Sequence, residues 1–172
     1  ANALFPQART LVDIGGQDSK VIRLDKNGAV VNFVMNDKCA AGTGRFLEMM
    51  ARTMEMNLDE MSKAGLEYKE DITISSMCTV FAESEVVSLI AQNKATDDIV
   101  HGLNKAVAAK TAALAKRVGG EEKYMMTGGL SKNQGLVKTL EEKLGTTLVI
   151  SDKAQLCGAL GAALFAMDMV KI

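Results

Sequence analysis

The chain has 172 residues, 48% of them hydrophobic and only one of them proline, so it can bury one ordinary hydrophobic core. Its 20 basic and 21 acidic residues give a net charge of -1, which argues against the basic surface of a nucleic-acid-binding protein. No apolar run approaches the roughly 18 residues of a membrane span, and the N-terminus lacks the basic and then apolar order of a signal peptide. These features predict a cytoplasmic protein that binds neither nucleic acid nor membranes.

Three runs of β-branched and apolar residues open the chain: TLVDIGG (10–16), SKVIRLD (19–25) and AVVNFVMND (29–37). The turn residues Lys26, Asn27 and Gly28 join the last two runs, which predicts three consecutive antiparallel strands. From Gly44 the apolar residues recur at helical spacing instead, and a second helical segment follows in LDEMSKAGLE (58–67).

Helices and strands alternate in the rest of the chain. The segment DITISSM (71–77) is extended, TVFAESEVVSLIAQ (79–92) predicts a helix, and an apolar stripe from Ile99 to Val118 predicts a long helix ended by Gly119 and Gly120. A strand is predicted for KYMMTGG (123–129), a helix for residues 133–144, a strand for TTLVISD (146–152) and a helix for residues 158–169. This order predicts an α/β fold, a mixed five-stranded sheet with helices on both faces, as in a ribonuclease-H-like half-domain.

Two glycine-rich turns of this sheet are candidate nucleotide-binding loops. In DIGGQDSK (13–20), Gly15 and Gly16 permit a close approach of backbone N–H groups to a phosphate, and Asp13 can hold Mg²⁺ through water. In TGGLSKNQG (127–135), the paired glycines let a flat ring approach the backbone at a helix start. The alternatives are a tight hairpin for the first turn and an ordinary strand-to-helix connection for the second.

The cysteines form the second candidate site. Cys39, in NDKCAAGTGRFLE, and Cys78, in CTVFAESEV, each precede a predicted helix, whose dipole and N–H groups would stabilise a thiolate or an iron–sulfur cluster. A cluster commonly takes four thiolates, so a symmetric dimer could share one, although simple burial of both cysteines is the alternative. Cys157, among small apolar residues, is predicted to be buried, and His101 is predicted to be exposed or half-exposed and without a role.

Taken in order, DIGGQDSK, NDKCAAGTGRFLE, CTVFAESEV, TGGLSKNQG and GALGAALFA resemble the ATP-dependent activators of 2-hydroxyacyl-CoA dehydratases. They resemble the ATPase subunits of benzoyl-CoA reductase more distantly. The resemblance covers nearly the whole chain and implies the acetate kinase, Hsp70 and actin fold, with ATP, ADP and Mg²⁺ in a cleft between two halves. It also implies a homodimer in which Cys39 and Cys78 of each chain hold one shared [4Fe-4S] cluster.

The resemblance also implies roles for single residues. The second phosphate loop would contain Asp13, Gly15, Gly16 and Gln17, and the adenosine side Gly128, Gly129 and Lys132. Glu83 is a candidate for orienting water or for relaying the nucleotide state to the cluster. Such proteins normally begin with a phosphate loop of the D-x-G-S-T type, so residues 1–172 are expected to be a single domain, the C-terminal half of the fold.

The function implied is ATP-driven electron transfer at low potential, from a donor such as ferredoxin or flavodoxin to a 2-hydroxyacyl-CoA dehydratase. A benzoyl-CoA reductase-like partner is one alternative. A sugar or small-acid kinase of the same fold is another, and it would have no use for Cys39 and Cys78. A third is an actin-like or chaperone-like module that binds ATP without redox chemistry.

Overall fold

A mixed five-stranded sheet lies at the centre of the fold in the computed structural model, which describes residues 1–75 and 78–170. The strands are β1 (Thr10–Ile14), β2 (Ser19–Leu24), β3 (Val30–Asn36), β4 (Tyr124–Thr127) and β5 (Leu148–Ile150). Their order across the sheet is β3-β2-β1-β4-β5. β1, β2 and β3 are antiparallel neighbours, whereas β4 and β5 continue the sheet parallel to β1. The predicted sheet is therefore confirmed.

The helices fall where the apolar spacing predicts them. They are α1 (Gly44–Thr53), α2 (Leu58–Ala64), α3 (Thr79–Ala91), α4 (Thr96–Val118), α5 (Gln134–Leu144) and α6 (Cys157–Val170), with short 3-10 turns at Gly129–Lys132 and Ala154–Leu156. Residues 71–75 of the predicted extended segment form neither helix nor strand, and its last two residues lie outside the described part. In that part, no helix is both long and apolar enough to cross a membrane.

The core lies on both faces of the sheet because side chains alternate along β1. Val12 and Ile14 belong to the larger cluster, which α1, α3, α4 and α5 complete, whereas Leu11 belongs to a smaller cluster on the opposite face with the N-terminal residues. α6 lies beside this second face, where Leu164 and Phe165 line a cavity of about 380 Å³ together with residues of β1 and β2. Helices on both faces are thus observed, with α6 the least buried of them.

His101 corrects one prediction. The long helix α4 is buried along most of its length, and the residue His101 is only 4% exposed instead of lying at the surface. Its ring stacks on that of Tyr68 with 3.4 Å between centroids, and its Nε2 lies 3.7 Å from Asp71 Oδ1. Burial, above all, lowers the pKa of His101. The segment after α2 covers this face of α4, which helical spacing alone did not indicate.

Candidate functional site: the phosphate and cysteine loops

The phosphate loop, residues 13–18, connects β1 to β2 and is partly exposed. The Gly15 N–H donates to the Asp18 carbonyl at 2.9 Å and closes the turn. Within the described part of the chain, the N–H groups of Gly16 and Gln17 have no hydrogen-bond acceptor, so they can donate to the oxygens of a phosphate. The loop therefore offers two backbone N–H donors to a phosphate.

Asp13 lies at the base of this loop among polar partners. Its Oδ2 accepts a 2.6 Å hydrogen bond from Thr127 Oγ1, and its Oδ1 lies 3.5 Å from Lys20 Nζ. Burial opposes the charge of Lys20, but the Asp18 hydrogen bond and the Asp13 carboxylate raise the pKa of Lys20 above its ordinary value. The carboxylate of Asp13 is thus held at the carboxyl end of β1 by a hydroxyl and a cation.

The second glycine-rich turn touches the phosphate loop directly. Asp13 and Thr127 are paired in register on the parallel strands β1 and β4, so both loops leave the same edge of the sheet. Gly128, at φ +85°, packs on the backbone of Ile14, and a Cβ at this position would lie 2.3 Å from the Ile14 carbonyl oxygen. The structure therefore brings together the predicted phosphate and adenosine loops.

α2 forms a second wall beside this turn. A cavity of about 160 Å³ lies between Asp59 and Ser62 of α2 and Gly129 and Lys132 of the turn. Ser62 Oγ accepts a 2.8 Å hydrogen bond from the N–H of Gln134, which fixes α2 against the start of α5. Neither α2 residue was a candidate in the sequence, because no motif joins LDEMSKAGLE to a loop 70 residues further on.

The cysteine loop, residues 37–43, follows β3 and leads into α1. Cys39 is exposed and precedes α1, which begins at Gly44, as predicted, after the N-cap residue Thr43. The first two N–H groups of α1, those of Gly44 and Arg45, donate to the carbonyls of Gly15 and Gly16 at 2.8 and 2.7 Å. The prediction that these helix-start N–H groups stabilise a Cys39 thiolate is therefore wrong, since the phosphate loop occupies them.

Cys78 directly precedes a helix, as predicted, because it is the N-cap residue of α3, and it is exposed. The backbone before it is anchored by Glu85, whose carboxylate accepts hydrogen bonds of 3.0 Å from the N–H and the hydroxyl of Ser75. Glu83 accepts a 3.1 Å hydrogen bond from Thr53 Oγ1 at the end of α1. Glu83 therefore joins the two helices that follow the cysteines.

The described residues of a single chain do not form a complete metal-binding site. In residues 1–75 and 78–170, no group of three or more His, Cys, Asp or Glu side chains could hold a metal ion. Cys157 is buried at the start of α6, as predicted, which leaves Cys39 and Cys78 as the exposed thiols. Two exposed thiols in each chain fit a cluster whose other two ligands come from a second chain.

Comparison with known proteins decides the family. Residues 1–166 match the profile of the BadF/BadG/BcrA/BcrD ATPase family. The chain belongs to this family. It is 46% identical over 170 residues to a 2-hydroxyisocaproyl-CoA dehydratase activator of Clostridioides difficile, and 47% identical over 166 residues to the (R)-2-hydroxyglutaryl-CoA dehydratase activating ATPase of Acidaminococcus fermentans. These matches cover 99% and 96% of the chain, but only 64% of each relative.

Members of the family differ in the enzyme that they serve. The chain is also 33% identical over 168 residues to one of the subunits of the benzoyl-CoA reductase of Thauera aromatica, a match that covers 94% of the chain and 60% of the relative. The solved structure of the Clostridium difficile activator with bound ADPNP superposes with a TM-score of 0.95 at 46% identity. That superposition covers 99% of this chain and 63% of the activator chain, so this chain spans less than two thirds of these family members.

More distant structures define the fold alone. A xylulose kinase of Bifidobacterium adolescentis matches 90% of the chain and 36% of its own, with a TM-score of 0.57 at 13% identity. The predicted fold class is thereby confirmed, since the family shares the architecture of actin, Hsp70 and sugar kinases. At this identity, the kinase match carries no information on the reaction.

Proposed function

We propose that this protein is the ATP-driven activator of a 2-hydroxyacyl-CoA dehydratase and transfers electrons to that enzyme at low potential. The observation that carries the proposal is the position of two exposed cysteines, Cys39 and Cys78, on segments that lead into α1 and α3 of an ATPase fold. A kinase of the same fold has no need for exposed thiols at both positions. The dehydratase partner is inferred from the names of the relatives.

The nucleotide would lie across the two loops at the edge of the sheet. The N–H groups of Gly16 and Gln17 would bind phosphate oxygens, while Asp13 would hold Mg²⁺ through water. The backbone at Gly128 and Gly129 would face the adenosine, with Lys132 beside it. The close packing of Gly128 on Ile14 supports one continuous site, because it holds the two loops at a fixed separation.

Cys39 and Cys78 of two chains would hold one [4Fe-4S] cluster, which supplies reversible one-electron chemistry when it is bound. Lys38 and Arg45 lie beside Cys39, but Asp37 lines the same depression and Glu48 is paired with Arg45 at 3.1 Å, so the charge around Cys39 is mixed. Glu83 would act as a relay between α1 and α3 through its hydrogen bond from Thr53, a position that supports this role over that of orienting water.

Anaerobic reconstitution with iron and sulfide, followed by native mass spectrometry, tests the proposal. The wild-type protein should form a brown dimer with a mass increase of one [4Fe-4S] unit per dimer. Cys39→Ser and Cys78→Ser should each abolish the increase, whereas Cys157→Ala should retain it, because Cys157 is buried at the start of α6. A colourless wild-type protein that still hydrolyses ATP would contradict the redox function and favour an ATPase without redox chemistry.

The partner requires a separate measurement. Reduced, reconstituted protein with ATP should restore activity to an inactive, oxidised 2-hydroxyacyl-CoA dehydratase, and should not do so with ADP alone. If the protein activates a benzoyl-CoA reductase core and has no effect on the dehydratase, its partner is a benzoyl-CoA reductase-like enzyme instead. A low-potential donor of the ferredoxin or flavodoxin class would supply the electron in either case.

A further inference from the structure

Asn104, in the middle of α4, is a buried polar residue whose side chain makes no hydrogen bond. It is 0% exposed, and among residues 1–75 and 78–170 neither its Oδ1 nor its Nδ2 atom has a partner. A buried carboxamide without partners is unfavourable, because it has given up its hydrogen bonds to water and gained none in return. Stability of the fold therefore does not explain why an amide stands at this position.

Two glycines bring the ends of α2 and α5 against this amide. Gly65 is the C-cap residue of α2, Gly135 is the second residue of α5, and both are buried. A Cβ at Gly65 would lie 2.5 Å from Asn104 Nδ2, and a Cβ at Gly135 would lie 2.8 Å from the same atom. Asn104 thus lies where three helices meet, and a larger residue at either glycine would push them apart.

The start of α5 also has an unused donor beside the amide. The Gln134 N–H donates to Ser62 Oγ at 2.8 Å, and the Leu136 N–H donates to Asn133 Oδ1 at 2.9 Å. The N–H of Gly135, between them, has no acceptor in the part of the chain that the structure describes. A carboxamide that turns its oxygen toward Gly135 can accept this N–H and still donate through its NH₂ group. The unpaired groups at this junction are therefore complementary to each other.

The same junction borders the cavity of about 160 Å³ between α2 and the turn that precedes α5. Ser62 Oγ of α2 lies 3.5 Å from the Lys132 carbonyl of the turn, at the outer limit of a hydrogen bond, so this contact holds the two walls only loosely. A nucleoside in the cavity would touch both walls and favour their closer approach. Because Gly65 ends α2 and Gly135 follows the turn, this approach also changes the surroundings of the Asn104 amide.

We propose that Asn104 is a positioning residue for the nucleoside, whose amide pairs with the Gly135 N–H when a nucleoside lies between α2 and the turn and is unpaired when the cavity is empty. The inference rests on the proposed nucleotide function and adds to it a residue that touches no ligand. Binding of the nucleoside is strengthened because the bound arrangement also satisfies a buried amide, and a ligand favours the arrangement to which it binds more tightly.

Two substitutions of Asn104 test the inference. Asn104→Leu replaces the amide by a larger apolar group of similar shape, and Asn104→Ala replaces it by a smaller one, so the pair separates the loss of the amide from a change of volume. The dissociation constant for ADPNP with Mg²⁺ is measured by isothermal titration calorimetry. Both variants should raise it about fivefold, which corresponds to the loss of one hydrogen bond.

Thr111→Val is the matched control. Thr111 is also a buried polar residue of α4, but its hydroxyl donates to Val107 O at 3.0 Å, and it lies about two helical turns from Asn104. This variant should bind ADPNP with the affinity of the wild type. An equal loss of affinity in Thr111→Val would show that any polar group inside α4 has this effect, and the specific role of Asn104 would be wrong.

Nuclear magnetic resonance of ¹⁵N-labelled wild-type protein tests the pairing itself, which a merely structural residue would not change. The side-chain NH₂ signals of Asn104 are assigned by their absence in Asn104→Leu. Both these signals and that of the Gly135 N–H should shift when Mg²⁺ and ADPNP are added, with the Gly135 proton moving downfield as it enters a hydrogen bond. Signals that stay in place while the nucleotide binds would overturn the inference.

The binding data separate this inference from the proposed function. If the wild type binds ADPNP and both Asn104 variants bind it equally well, the inference alone is wrong. If the wild type binds no ADPNP, the nucleotide role of the two glycine-rich loops is wrong, and the role of Asn104 is wrong with it.

Discussion

Gly128 stands where the two nucleotide loops meet, and its backbone has φ +85° and ψ 174°, a conformation that almost only glycine adopts. A side chain here would also collide with the carbonyl oxygen of Ile14. A larger residue at position 128 would therefore strain its own backbone and also push the two loops apart.

Gly128→Ala should therefore lower the free energy of unfolding by at least about 2 kcal/mol and should weaken nucleotide binding. Gly129→Ala is the matched control for stability, because a Cβ at Gly129 meets no atom within 4 Å. Urea unfolding measures the first effect and a fluorescent ATP analogue the second. Equal losses of stability in the two variants would contradict a specific requirement at Gly128.

His101 should make stability depend on pH. Its pKa is lowered from the ordinary value of 6.5 mainly by burial, and Lys105 lowers it further, while Asp71 and Glu142 oppose the shift. His101 therefore binds a proton more readily in the unfolded chain than in the folded protein. The stabilisation is fully present above pH 6.5 and is lost as the pH falls from there through the folded pKa.

Urea unfolding at pH 7.5 and 5.5 checks this prediction. The wild type should lose up to about 1.4 kcal/mol per pH unit more than His101→Gln does over this interval. Asp71 does not contribute there, because the hydrogen bond that it accepts from Lys105 holds the pKa of its carboxyl below the ordinary 3.8. Parallel pH slopes in the two proteins would show that His101 is not the titrating group.

At the scale of elements, α2 shows how a short helix is made rigid enough to serve as a wall. Asn57 Oδ1 accepts the N–H groups of Asp59 and Glu60, and Glu60 in return accepts the N–H of Asn57. This capping box satisfies the first donors of a seven-residue helix that would otherwise be marginal. The helix then presents Asp59 and Ser62 to the cavity beside Gly129.

Asn57→Ala should cost about 1 kcal/mol of stability, the usual loss on removal of an N-cap side chain. It should also weaken binding of a fluorescent ATP analogue, because the wall at Asp59 and Ser62 loses its anchor. Lys63→Ala, on the exposed side of α2, should change neither property. Binding that is unaffected by Asn57→Ala would separate α2 from the nucleotide site.

At the scale of the whole molecule, the distribution of apolar surface is uneven. The apolar side chains of α4 and α5 that face the sheet are buried, whereas α6 exposes a row of large apolar side chains, of which Phe165 is 76% and Leu164 39% exposed. The edge strand β3 likewise exposes Val30, Val31 and Phe33. Contiguous apolar patches of this kind favour association with other surfaces.

Phe165→Ser should reduce self-association of the chain in analytical ultracentrifugation, while the free energy of unfolding should stay within about 0.5 kcal/mol of the wild type. The contrast is Leu103→Ala in α4, which removes a fully buried side chain and should cost about 2–5 kcal/mol. Unchanged self-association in Phe165→Ser would show that the chain does not self-associate through α6.

The sequence by itself determined the order of the elements, the mixed sheet and the two glycine-rich loops. These depend on local features: alternating residues in β1, helical spacing from Gly44, and the glycines that end α4 and α5 at φ +69° and +70°. The family motifs could also be identified from the sequence alone, because each is a short continuous stretch. Such signals need no knowledge of which segments meet in space.

Only the tertiary structure decided which residues meet. The register of β1 and β4 brings Thr127 to Asp13, the segment after α2 buries His101, and the phosphate loop takes the first N–H groups of α1 that Cys39 was predicted to use. Each of these contacts joins residues far apart in the chain. Which residues make these contacts depends on how whole helices and strands pack together, and a local sequence pattern does not specify that packing.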